Sequence, residues 1–205
     1  MVARKSADNR KAEIVSAMLR LADELGPDRL TTDAVAKAVG LTQPGIFRHF
    51  PTKKDLWLAV ASHLSRTMTA AWDQVLATQA EPLERMTALI RVQLGQIAAN
   101  PAIPAILHSR ELQTANPALR SQFVVLMTRF QGLLVDALNE GKALGIFRDD
   151  IPPKDAAVLL ISCVQGVALR WSLGQRAFSL EDEGGRLLGC QIALYRSQTF
   201  AEAKL

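Results

Sequence analysis

The sequence has little of several features that define common protein classes. Two cysteines among 205 residues are too few for a disulfide framework. No uninterrupted apolar run approaches the roughly 18–20 residues that a membrane helix needs, and the first residues are basic and polar, unlike a secretory signal. Proline and glycine are scattered, without a low-complexity tract. We therefore expect a soluble, cytoplasmic protein with no membrane partner.

The usual marks of catalysis are also missing from the sequence. It has no glycine-rich dinucleotide motif, no P-loop and no nucleophile elbow. Its three histidines are dispersed, and neither they nor the cysteines have metal-ligand spacing. We therefore expect no catalytic residues, no metal and no cofactor. A small helical enzyme with a hidden site, or a helical adaptor, remains the alternative.

The positive charge is concentrated at one end of the chain. Residues 1–54 contain ten Lys and Arg against six Asp and Glu, whereas residues 55–205 contain fourteen of each. A basic module on a neutral body is typical of proteins that bind a polyanion, most commonly nucleic acid. The alternative is a solvated helical surface.

Hydrophobic periodicity predicts an all-α fold of about nine helices, with no alternating strand pattern. Asp8 is the predicted cap of the first helix, and Thr31-Thr32 offers a cap for the second. Thr42 caps a third helix that buries Ile46, Phe47 and Phe50, and a capping box at residues 52–55 opens the fourth. The remaining helices are predicted at residues 55–78, 81–99, 103–112, 118–144, 153–173 and 180–196.

Residues 31–50 have the organisation of a helix-turn-helix, in which Gly40 forms the turn between two short helices. The second helix would present Gln43, Pro44, Gly45 and Arg48 to the major groove. Gln can pair with adenine and Arg with guanine, and the proline ring can pack on a thymine methyl group. The absence of a side chain at Gly45 would let the backbone approach the bases.

The stretch TTDAVAKAVGLTQPGIFRHFPTKKDL, residues 31–56, resembles the signature of the TetR family of transcriptional regulators. The resemblance implies a DNA-binding domain at 1–54 and a ligand-binding and dimerisation domain at 55–205. It implies phosphate contacts from Thr32 and Lys53. Phe47 stands where the family usually has a phosphate-binding tyrosine, so we expect its ring to pack. The predicted DNA contacts are Thr32, Thr42, Gln43, Pro44, Gly45, Phe47, Arg48, His49 and Lys53.

The resemblance also implies a homodimer on a palindromic duplex, with the last two long helices of each subunit forming a four-helix bundle. Residues 153–173 are apolar around nearly the whole predicted helix, which supports a covered surface. Small residues four positions apart allow close helix approach. The predicted interface residues are Ser162, Gly166, Gly185 and Gly189, and tolerated glycines are the alternative explanation.

The same resemblance predicts a small, largely apolar effector of unknown identity that releases DNA from a repressor. An activator or a corepressor-dependent regulator is the alternative. Most pocket candidates are apolar and could equally be ordinary core. They are Leu64, Met68, Trp72, Leu94, Leu107, His108, Phe123, Met127, Phe130, Arg170 and Trp171.

Overall fold

The computed structural model describes residues 6–197, and within that range the chain is all-α, as predicted, with ten helices and no strand. The helices are α1 Ala7–Leu25, α2 Thr32–Ala38, α3 Gln43–Phe47, α4 Lys53–Thr78, α5 Pro82–Ala99, α6 Ala102–His108, α7 Arg110–Ala115, α8 Pro117–Ala143, α9 Pro153–Leu173 and α10 Leu180–Ala193. The helix expected at 103–112 is two helices, because Ser109 ends α6 and its hydroxyl accepts a hydrogen bond from Leu112 N to cap α7.

Side-chain caps fix where the first helices begin. Thr31 caps α2, as predicted, by accepting a hydrogen bond from Ala34 N at 3.1 Å. The capping box before α4 is reciprocal, since Thr52 N donates to Asp55 Oδ2 at 3.0 Å and Asp55 N donates to Thr52 Oγ1 at 3.1 Å.

The predicted cap of α1 is wrong. Ser6, two residues before Asp8, accepts a hydrogen bond from Asn9 N at 3.2 Å. Asp8 instead lies inside the first turn, where a carboxylate is stabilised by the positive end of the helix dipole.

The chain forms two compact units, and the first comprises the residues up to Arg66 together with Asn100–Val124. Here α2 packs against α1 and α3, and α6 packs against α1. Arg10 on α1 donates to the carbonyl of Val39, just after α2, at 3.4 Å. Ser109 Oγ donates to Asp28, which connects the loop after α1 to the junction of α6 and α7.

The second unit comprises Thr67–Ala99 and the chain from Val125 onward. Helix α10 packs against α5 and α9. A Cβ at Gly184 would come within 2.9 Å of the Leu94 side chain, so α10 approaches α5 closely at this glycine. Trp72 and Phe130 stack with ring centroids 5.0 Å apart.

The boundary between these units does not follow the predicted functional boundary after residue 54. Helix α4 begins in the first unit and ends in the second, and so does α8. A division into compact units does not show where one function ends and another begins, so the functional boundary stays a prediction.

Helix α9 has an exposed apolar face. Val158, Leu159 and Leu173 are 45%, 52% and 76% exposed. By length and composition alone α9 is the one helix in residues 6–197 that could cross a membrane, although it contains no uninterrupted apolar run of that length. One such helix is weak evidence for a membrane, and an exposed apolar face is typical of an interaction surface.

Two glycines of α8 give a matched test of packing. A Cβ at buried Gly141 would overlap the Phe147 ring, whereas one at exposed Gly132 would meet nothing within 4 Å. We expect Gly141→Ala to destabilise the protein by about 1–3 kcal/mol through overpacking. Gly132→Ala should instead stabilise it by up to about 1 kcal/mol, because alanine favours helix. Urea denaturation measures the free energy of unfolding of both variants. Equal changes in the two variants would contradict the close packing of Gly141 against Phe147.

Candidate nucleic-acid interface

The second helix of the predicted helix-turn-helix is shorter than expected. Helix α3 has five residues, Gln43–Phe47, and Arg48 is its C-cap. Thr42 caps its start by accepting a hydrogen bond from Gly45 N at 3.3 Å. The Ile46 side chain anchors the helix, with 1% exposure. The chain then bends toward Pro51, because a residue that precedes proline disfavours the helical conformation.

The turn between α2 and α3 depends on a glycine, as predicted. Gly40 has φ +66°, a region that side-chain-bearing residues rarely adopt. Leu41 N then donates to Ala36 O at 2.8 Å, which closes the turn and sets the direction in which α3 leaves.

Most of the predicted DNA contacts are exposed to solvent. The exposed ones are Thr42, Gln43, Pro44, Phe47, Arg48 and Lys53. Gly45 and His49 are half-buried, and Thr32 is buried. A Cβ at Gly45 would meet Thr42 and Leu41 at ordinary contact distances, so the fold itself does not require glycine there. The role of Gly45 in backbone approach to DNA stays a prediction.

The expectation that Phe47 packs in the interior is wrong. Its side chain is 37% exposed, whereas Ile46 and Phe50 are buried as predicted. Helix α3 is too short for periodicity to distinguish its inner face from its outer face. Phe47 therefore presents an apolar ring to solvent at the end of α3.

Sequence reasoning missed a hydrogen bond between two predicted contacts. Gln43 Nε2 donates to Thr32 Oγ1 at 2.7 Å, so the first residues of α2 and α3 are joined by their side chains. The only signal in the sequence is that both positions are polar. The bond itself depends on the angle between the helices, which the sequence does not give.

The electrostatics of this surface favour an anion. Arg48 and Lys53 are exposed and, within residues 6–197, neither forms an ion pair. Lys37 on α2 differs, because Asp33 pairs with it at 2.8 Å and the hydrogen bond raises the pKa of Lys37 above its usual value. The available positive charge therefore lies at the end of α3 and the start of α4.

The predicted effector residues belong to both compact units. Leu64 and Phe123 are buried in the first unit, where Leu107 is half-buried and His108 exposed. In the second unit Met68, Trp72, Leu94, Phe130 and Trp171 are buried. The two other predicted effector residues of this unit are exposed to solvent. Met127 is 37% exposed, and Arg170 is exposed and pairs with Glu183 at 3.1 Å. Whether these residues form a pocket stays a prediction.

The second unit contains a cavity of about 400 Å³ between α5 and α10, and none of the predicted effector residues lines it. Arg91, Arg186, Glu181 and Asp182 contribute charged groups to its wall. The predicted interface glycines Gly185 and Gly189 also line it.

The four predicted interface residues, Ser162, Gly166, Gly185 and Gly189, are all exposed. A Cβ at any of the three glycines would meet nothing within 4 Å. Their surfaces are therefore open within the protomer, and their role in a dimer stays a prediction.

Comparison with known proteins identifies the family. Residues 14–60 match the model of bacterial regulatory proteins of the tetR family, and residues 79–171 match a tetracyclin repressor-like C-terminal domain. The chain belongs to the TetR family. It is a DNA-binding regulator by family and fold, and the TetR model spans the helix-turn-helix described above.

Relatives and solved structures agree with the TetR assignment. The chain is similar to the nucleoid occlusion factor SlmA of Vibrio atlanticus, with 27% identity over 159 residues, 77% of this chain and 81% of that protein. Its fold is similar to the ketosteroid transcriptional regulator KstR2 of Mycobacterium tuberculosis, with TM-score 0.78, 18% identity and coverage of 97% and 100% of the two chains. It also resembles a putative transcriptional regulator from Saccharomonospora viridis in complex with choline, with TM-score 0.76, 24% identity and coverage of 91% and 96%.

Base readout can be tested at Arg48. We expect Arg48→Ala to relax the base preference at one symmetric pair of operator positions, because a bidentate contact to guanine contributes roughly 1–3 kcal/mol of discrimination. Titrations over a panel of duplex variants measure this. Arg20→Ala on α1 is the control, since Arg20 is exposed and pairs with Glu24. An equal loss of affinity for every duplex would make Arg48 a phosphate contact instead.

The phosphate contact predicted for Lys53 can be tested by salt dependence. Removing one cationic phosphate contact should reduce the slope of log affinity against log salt by about 1 per site. We expect Lys53→Ala to do this uniformly across sequences. Lys154→Ala, at an exposed position in α9, should leave the slope unchanged. An unchanged slope in Lys53→Ala would exclude the contact.

Proposed function

We propose that this TetR-family regulator is a repressor that binds a palindromic operator as a homodimer and is released by a small, largely apolar effector. The observation that carries the DNA-binding part is the exposed set on α3 and α4, in which Gln43 and Arg48 flank the buried anchor Ile46. A reading helix one turn and a half long contacts few bases, so a two-fold pair of such helices is needed for a specific site.

The homodimer is supported by the exposed residues of α9. Asp155, Val158, Leu159, Ser162 and Gly166 follow a spacing of three and four and therefore share one face. On α10, Gly185 and Gly189 leave the backbone uncovered at the same helical spacing. Two copies of these faces would bury apolar surface in a closed, two-fold arrangement.

An apolar effector is supported by the interior of the second unit. Trp72 and Phe130 form a large aromatic pair, and the polar edge of Trp72 donates to Gln93 Oε1 at 3.2 Å. An apolar molecule that binds between these rings would replace their contact with each other by contacts to itself. Gln93 would then be a polar partner for the bound molecule. Because α4 runs from Lys53 to beyond Trp72, displacement of this helix would also move a predicted phosphate contact.

A second candidate function is that of a DNA-binding factor without a small-molecule effector. The similar proteins are named nucleoid occlusion factors, a name that refers to no small molecule, and this favours the second candidate. In this case the interior around Trp72 is structural core alone.

One experiment distinguishes these functions. Duplexes selected by the full-length protein from a random pool should share a palindrome, which is then titrated with and without a panel of small apolar compounds. Release of DNA by a compound that also raises the melting temperature supports effector control. Specific binding that no compound changes favours the second candidate. Absence of any selected sequence would contradict DNA readout itself.

The dimer face can be tested at Leu159. We expect Leu159→Asp to convert the dimer to a monomer, because a carboxylate would be buried without a partner. Its affinity for the full palindrome should fall while its affinity for a half-site is retained. Leu144→Asp is the control, since Leu144 is 61% exposed but lies outside α9 and α10. Sedimentation velocity measures the outcome, and a dimer that survives Leu159→Asp would place the interface elsewhere.

A further inference from the structure

Two predicted DNA contacts with different tasks are joined by one hydrogen bond. Gln43 Nε2 lies 2.7 Å from Thr32 Oγ1, so a candidate base reader donates to a candidate phosphate ligand. Thr32 is only 8% exposed, whereas Gln43 is exposed and its outer edge is accessible. Both are the first residues of their helices, α2 and α3.

The number of hydrogens on these groups limits how they can bind together. A threonine hydroxyl has one hydrogen to donate and lone pairs to accept with, and a glutamine amide has two hydrogens on nitrogen and an acceptor oxygen. A phosphate oxygen in DNA can only accept. When Thr32 donates its single hydrogen to a phosphate, its oxygen can only accept from Gln43. Gln43 must then turn its nitrogen, and not its oxygen, toward Thr32.

The orientation of the amide decides which base it fits. With its nitrogen toward Thr32, Gln43 presents Oε1 and its second hydrogen to the groove, which complements N6–H and N7 of adenine. The reversed amide would place a hydrogen where Oε1 lies, and this hydrogen can pair with O6 of guanine but not with N6–H of adenine. The two orientations have the same shape and differ only in the direction of their hydrogen bonds.

We propose that Thr32 is a positioning residue that sets the base preference of Gln43, because the bond between Thr32 Oγ1 and Gln43 Nε2 fixes the amide in the orientation that selects adenine over guanine. The inference rests on the proposed operator binding and adds to it a link between the DNA backbone and base readout. Thr32 thereby affects specificity although it touches no base.

The test uses the full-length protein and duplexes that differ only at the base pair read by Gln43. That pair is the one at which Gln43→Ala removes the preference. We expect the unchanged protein to bind the adenine duplex at least about tenfold more tightly than the guanine duplex. Thr32→Val keeps the shape and removes the hydroxyl, so its affinities for the adenine and guanine duplexes should differ by no more than about twofold. Thr32→Ser should retain the preference of the unchanged protein. Lys53→Ala, which removes a different predicted phosphate contact, should weaken both duplexes equally.

A second measurement uses the unchanged protein and so does not depend on the folding of a variant. Neutral methylphosphonate groups replace the phosphates of the site one at a time. At the phosphate bound by Thr32, the stereoisomer in which methyl replaces the bound oxygen should narrow the adenine-to-guanine affinity ratio, whereas replacement at other contacted phosphates should lower affinity alone.

The outcomes separate this inference from the function on which it rests. If Thr32→Val weakens both duplexes equally, or if no phosphate replacement changes the ratio, Thr32 is an ordinary phosphate ligand and the inference is wrong while operator binding stands. If the unchanged protein selects no sequence, or if Gln43→Ala alters no position, base readout by Gln43 fails and the inference fails with it.

Discussion

A helix of five residues cannot hold its own shape in water, and the reading element of this protein is such a helix. Isolated helices shorter than about 12–15 residues are marginal, so the position of α3 must come from its anchors. Burial of the Ile46 side chain contributes roughly 1.5–3 kcal/mol, and the Thr42 cap about 1 kcal/mol. The turn at Gly40 then directs α3 relative to α2. The orientation of Gln43 and Arg48 therefore depends chiefly on one buried isoleucine.

Several features that depend on neighbouring residues were predictable from the sequence, although the cap of α1 lies at Ser6 and not at Asp8, and features that depend on the angle between helices were not predictable. The cap at Thr31, the capping box at residues 52–55 and the positive φ of Gly40 each follow from local chemistry. Phe47 was misplaced because one and a half turns do not define an inner face. The bond from Gln43 to Thr32 requires the packed positions of α2 and α3, which no pattern in the sequence specifies.

Composition indicated that α9 is too apolar for a solvated helix, but only the structure assigns its faces. The side toward α5 and α10 is core, and the opposite side carries Leu159. The glycines of α10 separate in the same way. Gly184 lies against the Leu94 side chain inside the protomer, whereas a Cβ at Gly185 or Gly189 would meet nothing within 4 Å. These two predicted interface glycines also line the cavity between α5 and α10, so their role in a dimer stays a prediction.

Affinity and specificity are carried by different chemistry at the two predicted phosphate ligands. A lysine such as Lys53 donates three equivalent hydrogens and accepts none, so it attracts phosphate from any direction and transmits no hydrogen-bond direction to a neighbour. The hydroxyl of Thr32 adds no charge and little salt dependence, but donating its one hydrogen leaves it able only to accept. A lysine at position 32 could therefore hold the DNA backbone, yet it could not accept from Gln43. The proposed link between backbone contact and base preference requires a group that is both donor and acceptor, and Thr32 is such a group.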